Sequence, residues 1–278
     1  MKKLLIVEDD ATTRQFLRGT LKAAGFSVAV ANNGRAAIDR LKKEIYDLVL
    51  TDIWMPRVNG FELLAWLRRR ANGPRVVVLT SDDTPETLLA AVREQAYHYI
   101  RKPVDPKELL QIVEGAVNSG AAAPPIEVVS ATPNWVELIV PCELEAASRI
   151  TSFLAHLKAD LPPEVREQVG QAFRELLNNA IEWGGRLDPN QKVRISYLRA
   201  RRMLLYRIAD PGGGFRFEDL EHSALVNPPD EPTKHLEVRE QKGLRPGGFG
   251  LLLVRAMVDE LLYNEAQNEV VFIKYLDS

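Results

Sequence analysis

Several residues of chemically useful type stand at the ends of apolar runs. Glu8 and Asp9 follow LLIV, Asp52 closes DLVLTD, Thr80 closes VVVLT, and Lys102 comes directly after YHYIR. Any one of these is the ordinary solvated end of a strand. A parallel sheet would gather all of them at one edge, and clustered carboxylates repel unless a divalent cation lies between them. An oxygen-rich, partly hydrated set suits Mg²⁺. A metal beside Asp52 would make its carboxylate a workable nucleophile toward a phosphoryl donor. Lys102 would then pair with the phosphate, and Thr80 would hydrogen-bond it.

A second constellation lies in the other half of the chain. FRELLNNAIEWG sets Glu175 and Asn179 four residues apart, on one face of a helix. Asn179 offers a neutral oxygen to Mg²⁺, and Glu175 can accept a proton or position a hydroxyl. DPGGGF places Gly212, Gly213 and Gly214 just after Asp210. Glycine lets backbone approach a ligand closely, and the aspartate can accept a hydrogen bond from an adenine amino group. RPGGFGLLLVRA opens a helix directly with Gly247, Gly248 and Gly250, and the N–H groups of a helix start form a ready phosphate site. Taken singly, these read as a flexible turn, a helix start and a solvated helix face.

Positioning such residues requires two domains, and 278 residues suffice for both. Over residues 1–120, short Val/Ile/Leu-rich runs alternate with helical patterns, which predicts a five-stranded parallel sheet covered on both faces. GAAAPPIE then breaks the pattern, so a linker is expected over 121–132 and a second domain over 133–278. In that domain, a strand from Trp135 to Val140 precedes helices near 144–157 and 163–183, then strands at 193–198 and 203–209. Residues 218–246 are polar with little periodicity and read as a long loop of lid type. A helix over 249–259 and a hairpin over 261–276 close the chain.

The remaining composition narrows the function classes. Net charge is −2, which excludes a broad non-specific nucleic-acid surface. The single cysteine, Cys142, excludes an internal disulfide framework and fits a reducing compartment. MKKLLIVEDD carries only a four-residue apolar run that ends in acids, a strand rather than a signal peptide, and no apolar stretch approaches a membrane span. A cytoplasmic protein with no nucleic-acid or membrane partner is expected.

VEDD, TDIWMPRVNG, VVVLTS and YHYIRKP, in that order, resemble the marks of a response-regulator receiver domain across residues 1–120. The resemblance implies a doubly wound, flavodoxin-like α/β fold with Asp52 as phospho-acceptor. It implies that Glu8 and Asp9, with Asp52 and the backbone carbonyl of Trp54, hold Mg²⁺. Thr80 and Tyr99 are similar to the switch pair of such domains, and Lys102 to their phosphate-sensing lysine, with a cis bond to Pro103. Gln95 stands where these domains commonly carry glycine.

ELLNNAIEWGG, ADPGGGF and GGFGLLLVRAMVDEL resemble the N box and the two glycine boxes of the GHKL (Bergerat) ATPase superfamily, in the style of the anti-sigma-factor serine kinases. NEAQNEVVFIKYL is similar to their closing hairpin. What this implies is an α/β sandwich binding Mg²⁺ and ATP, with Glu175 as catalytic base, Asn179 as Mg²⁺ ligand and Asp210 as adenine anchor. Gly212, Gly214, Gly248 and Gly250 would be the nucleotide-loop glycines, and Lys242 and Arg245 candidates for phosphate contacts. Pro246 departs from the second box, and Trp183 replaces a histidine common after the N box.

The two resemblances together imply a two-component response regulator of bacterial signalling. Its phosphorylation at Asp52 would control transfer of phosphate from ATP to serine or threonine. An upstream histidine kinase and a downstream anti-sigma antagonist or sigma factor are the expected partners. Receiver domains often pair through their last helices and strands, which puts a homodimer among the expectations. The competing reading is a nucleotide-binding module that transfers nothing and sequesters its regulator; a phosphatase acting on the same antagonist is a third. A histidine kinase would need a phosphorylatable histidine on a dimerising helix. His156 lacks that context, and His98, His222 and His235 lie in a strand or the expected lid.

Overall fold

A computed structural model describes residues 1–70, 73–82, 84–118, 125–132, 134–157, 160–215, 231, 233–241 and 249–276. The chain divides into two compact units, Met1–Ala123 and Pro124–Ser278.

The first unit alternates β1 (Lys3–Val7), α1 (Ala11–Ala23), β2 (Ser27–Ala31), α2 (Gly34–Leu41), β3 (Leu48–Asp52), α3 (Gly60–Arg68), β4 (Arg75–Thr80), α4 (Pro85–Arg93), β5 (His98–Arg101) and α5 (Pro106–Asn118). The five strands pair in parallel in the order β2-β1-β3-β4-β5. Leu4, Ile6, Leu48, Leu50, Val77, Leu79 and Ile100 are buried in β1, β3, β4 and β5, and Leu17, Leu21, Leu109 and Val113 cover them from α1 and α5. Burial on both faces is why these strands read as unbroken apolar runs. Asp10, Asn33, Asn59 and Thr84 cap α1 to α4, each accepting a backbone N–H from three residues on. Asp10 is thereby occupied as a cap, which separates it from the other two acids of the EDD run.

Two backbone details bear on the edge that holds the strand ends. Gly60, the first residue of α3, lies so close to the carbonyl of Asp52 that a Cβ there would overlap it. Its N–H donates to Ile53 O at 2.8 Å. Gln95 has φ 63°, the left-handed conformation that glycine adopts at least cost, which accounts for the glycine common at this position in similar sequences.

The second unit carries β6 (Glu127–Thr132), β7 (Trp135–Pro141), α6 (Leu144–His156), α7 (Pro163–Asn179) and a π-helical turn at Ala180–Gly184. It continues with β8 (Lys192–Ala200), β9 (Met203–Ala209), α8 (Lys234–Gln241), α9 (Gly250–Met257), β10 (Glu260–Tyr263) and β11 (Glu269–Tyr275). The sheet is antiparallel in the order β10-β11-β9-β8-β7-β6. α6 packs on β7, α7 on β9, and α7 lies against both α6 and α9. The strands alternate, with Leu138, Ile195, Tyr197, Tyr206, Ile208, Val270 and Phe272 buried. Tyr206 stacks on Phe272 at 4.8 Å and meets Tyr197 at 5.0 Å and Phe173 of α7 at 5.3 Å, an aromatic centre that ties the helix to three strands.

Two expectations need correcting. Residues 127–132, expected as linker, form β6, because Val128 and Ala131 find ladder partners in Leu138 and Val136 of β7. Residues 234–241, expected as part of a structureless loop, form α8. It is polar, KHLEVREQ, so no apolar period announces it. Residues 121–124, 216–230, 232 and 242–248 lie outside the described residues, so Gly248, Lys242, Arg245, Pro246 and His222 are not placed.

The Gly60 contact yields a prediction. Gly60→Ala forces α3 away from the end of β3 and costs about 3 kcal/mol by overpacking. In urea unfolding this should appear as a fall in the first unit's midpoint, and as a Tm about 10 °C lower. An unchanged midpoint would mean that the contact is readily relaxed.

Candidate functional sites

The parallel order of the first sheet brings β1, β3, β4 and β5 to a common carboxyl edge, where four of the expected residues meet. Glu8 is fully buried, Asp52 is buried and Asp9 is exposed, yet one carboxylate oxygen from each lies within 4.8 Å of the others. Lys102 places its Nζ 2.7 Å from Glu8 Oε2 and donates to Asp52 Oδ2 at the same distance. Burial raises the Glu8 carboxyl above its ordinary value, and Lys102 offsets part of that. Burial also pulls the Lys102 ammonium down, but its bonds to Asp52 and Glu8 prevail and leave it above 10.5. The site therefore keeps a fixed cation among its acids. Arg14 donates to the carbonyls of Glu8 and Asp9 at 2.7 and 3.0 Å and steadies the backbone that carries them.

The remaining donors are oxygens only, which fits Mg²⁺ rather than a thiolate- or imidazole-seeking metal. The Trp54 amide donates to Asp52 Oδ1 at 3.3 Å, so the turn carrying the Trp54 carbonyl folds back onto the acid. The Trp54 ring is exposed, edge-on to Phe61 at 6.5 Å.

Thr80 ends β4 beside this cluster, with its backbone carbonyl accepting from Lys102 N–H at 2.8 Å. Its hydroxyl, however, is engaged elsewhere, accepting from the Asp82 amide at 3.0 Å. The Tyr99 ring is buried and its hydroxyl donates to the Asp82 carbonyl at 3.1 Å, so Thr80 and Tyr99 are joined through one residue. Asp82 in turn accepts from the Thr87 hydroxyl at 2.8 Å and the Thr84 amide at 3.1 Å, and these bonds hold its carboxyl below the usual range. Asp82 and Thr87 were not singled out from sequence; the serine-aspartate-rich turn SDDT was the available signal. The peptide bond to Pro103 is cis, as expected.

In the second unit, Glu175 and Asn179 fall on the last turns of α7, both half-buried. Gly250, at the start of α9, lies against Glu175: a Cβ there would come within 2.5 Å of Glu175 Oε2. The helix start and the Glu175 carboxylate are thus neighbours. Asp210 ends β9. Its Oδ1 accepts the Gly212 N–H at 2.8 Å, an Asx-type turn that orients the carboxylate. Gly214 has φ 81° and backs directly onto the Ala266 carbonyl of the β10–β11 turn, so a side chain fits neither its conformation nor its surroundings.

Two residues that sequence reasoning passed over close this site from below. α7 runs into the π-helical turn at Ala180–Gly184, a local widening often found at functional positions. Through it, Gly184 packs against the Asp210 carboxyl and Gly185 against the Cys142 sulfur. Cys142 is buried, and burial pushes its thiol up to about 11, with the nearby Asp210 charge adding to the rise. The pair of glycines that ends AIEWGG was visible in the sequence; their contacts were not. Trp183, just before them, is exposed. His156 sits on α6 with Nδ1 2.8 Å from Ser152 O, bound to its own helix backbone. Among the described residues, no helix is long and apolar enough to cross a membrane.

Burial raises the Asp210 carboxyl, and the Gly212 N–H offsets only part of that. A raised carboxyl stabilises the fold fully below its ordinary value of 3.8, and that contribution is lost as pH rises through the folded value. Asp210→Asn keeps an oxygen for Gly212 but carries no charge. Urea unfolding at a series of pH values should therefore find the variant more stable than the parent at pH 7, with the difference vanishing in acid. A variant less stable at neutral pH would contradict the burial argument.

Residues 4–114 match the response regulator receiver domain, and residues 140–274 match the histidine kinase-like ATPase domain. An uncharacterized 14.6 kDa protein of Leptolyngbya boryana is 37% identical over 113 residues, 40% of this chain and 86% of that one. The DNA-binding response regulator MtrA of Mycobacterium tuberculosis (strain ATCC 25618 / H37Rv) is 29% identical over 204 residues, 72% of this chain and 87% of its own. Among solved structures, the chemotaxis protein CheY4 of Vibrio cholerae aligns at 30% identity and a TM-score of 0.40, covering 42% of this chain and 98% of that one.

Proposed function

We propose, for a chain that belongs to the response regulators through its receiver domain and carries a histidine kinase-like ATPase domain behind it, that phosphorylation of Asp52 controls an ATP-dependent serine/threonine protein kinase. In this reading Glu8, Asp9 and Asp52, with the Trp54 carbonyl, hold Mg²⁺, which neutralises the oxygens of an incoming phosphoryl group. Asp52 attacks that group, supplied by a histidine kinase upstream. Lys102, already 2.7 Å from Asp52, stays with the new phosphate as its counter-charge. The added charge of roughly −1.5 to −2 draws the Thr80 hydroxyl away from Asp82 and frees Tyr99 to repack.

The kinase half of the reading rests on Glu175 lying against Gly250 at the start of α9, which sets a carboxylate beside a helix N-terminus suited to phosphates. Asp210 would accept the adenine amino group, and Asn179 would hold the Mg²⁺ that accompanies ATP. The γ-phosphoryl passes to a serine or threonine oxygen, the hydroxyl proton goes to Glu175, and ADP leaves. An anti-sigma antagonist or a sigma factor is the protein substrate or bound partner in this reading.

The test combines calorimetry with phosphoryl transfer. Mg-ATP should bind the parent, and Asp210→Asn should weaken it at least tenfold, the effect of losing a half-buried charged acceptor. Glu175→Gln should leave ATP affinity within about threefold while lowering transfer to protein serine or threonine by about 10²- to 10⁴-fold. A Glu175→Gln protein that retains its full regulatory effect in cells would instead favour the sequestering module.

The receiver half has its own readout. A labelled small-molecule phosphoryl donor should modify the parent and leave Asp52→Asn unmodified, and chelation of Mg²⁺ should abolish the labelling. A phosphoryl mimic at Asp52 should shift Mg-ATP or partner affinity by about 5- to 150-fold, the usual range for coupled sites. No shift in either would remove the proposed control.

A further inference from the structure

The loop after Asp210 is held by a turn that lies outside the N box and both glycine boxes, at the start of the closing hairpin. The turn between β10 and β11 runs from Asn264 to Asn268. In it, Asn264 Oδ1 accepts the backbone N–H of Asn268 and of Glu269, both at 3.1 Å, and Asn264 Nδ2 donates to Asn268 Oδ1 at 2.8 Å. With its oxygen occupied in this way, the Asn268 amide presents Nδ2 in one direction, and it donates to the Gly212 carbonyl at 2.9 Å. The Asn268 carbonyl accepts the Asp210 N–H at 2.9 Å. One residue therefore holds both ends of Asp210–Pro211–Gly212. Between those ends, the Gly212 N–H binds Asp210 Oδ1 at 2.8 Å.

On the reading of Asp210 as the adenine anchor, we infer that Asn268 is the positioning residue that aims the Asp210 carboxylate and so sets the preference for adenine. The relay runs from Asn264 to Asn268, from Asn268 to the Gly212 peptide, and from the Gly212 N–H to Asp210 Oδ1. With Oδ1 committed to Gly212, Oδ2 is the oxygen left to face a base. The Gly212 carbonyl and N–H belong to the two peptide planes that meet at its Cα, and free rotation about that Cα would release Oδ1 and let the carboxylate turn. Glycine resists such rotation poorly, so the restraint has to come from outside the loop. Gly214, pressed against Ala266 of the same turn, fixes the loop further along. Asn268 touches no nucleotide atom in this account; it acts through Gly212.

The test measures base discrimination together with stability. Full-length parent, Asn268→Asp and Asn264→Ala are titrated with Mg-ATP and with Mg-ITP, which lacks the exocyclic amine, and each is melted. Asn268→Asp keeps the shape but turns an oxygen toward the Gly212 carbonyl. Its ATP affinity should fall about tenfold and its ATP/ITP ratio should collapse toward one, with Tm within a few degrees of the parent. Asn264→Ala frees the Asn268 amide to flip and should reduce the ratio about threefold; it decides the matter should Asn268→Asp fail to fold.

An unchanged ratio in the folded variants overturns the role of Asn268 while leaving ATP binding intact. An equal loss for ATP and ITP overturns it as well, since the turn would then serve the phosphates or the loop as a whole. Absence of ATP binding by the parent removes the nucleotide reading and this inference with it.

Discussion

The Lys102 ammonium, 2.7 Å from an oxygen of Glu8 and from one of Asp52, makes it possible for two buried carboxylates to share the end of a parallel sheet. Two like charges drawn out of water side by side repel strongly unless a cation lies between them. The bridge has to be made by a long cation from the neighbouring strands, and β5 supplies it. Everything else at that edge is arranged around the resulting cluster. Gly60 lets α3 begin against the Asp52 carbonyl, Arg14 ties down the Glu8–Asp9 backbone, and Asp10 leaves the cluster to cap α1.

Among the described residues, the half-buried carboxylate of the second unit is met by a backbone N–H rather than by a cation. Asp210 is oriented by one backbone N–H and enclosed by glycines that let the chain come close, and its pKa stays raised. Such a group costs stability in the ligand-free protein. It is in the right condition to gain from a donor that arrives with a ligand. Among the described residues, the π-helical turn after α7 and the β10–β11 turn close on it, one from the side of Gly184 and one from that of Asn268.

Expectations failed where the local pattern was weak. β6 is an edge strand with small and polar residues, EVVSAT, next to a Pro-Pro pair, and it exists because β7 offers a ladder. α8 has no apolar face to display. The Thr80–Asp82–Tyr99 connection joins the end of one strand to the ring of another through a turn amide and a carbonyl, atoms that every residue possesses and no residue type reveals. Gln95 was noticed as a departure from glycine, and its φ of 63° shows the backbone demand behind that position.

By itself the sequence determined the element types and the chemistry available to them. Apolar runs specify strands buried on both faces or on one, Asx and threonine caps mark helix starts, and Glu8, Asp9, Asp52, Lys102, Glu175, Asn179 and Asp210 can be picked out because such residues recur together at matching strand ends or beside glycine-rich turns. Only the tertiary structure decided which of them meet and what holds them in aim. The Lys102 bridge spans 94 positions from Glu8, and the Asn268 bond reaches 56 positions back to Gly212. Contacts at that range depend on strand order and on the close approach of backbones, which the pairing of β1 with β3 and of β9 with β11 creates. No local periodicity encodes them, because they join groups far apart in the chain and rely on close backbone approach at Gly184, Gly185 and Gly214, and their geometry exists only once the sheets are assembled.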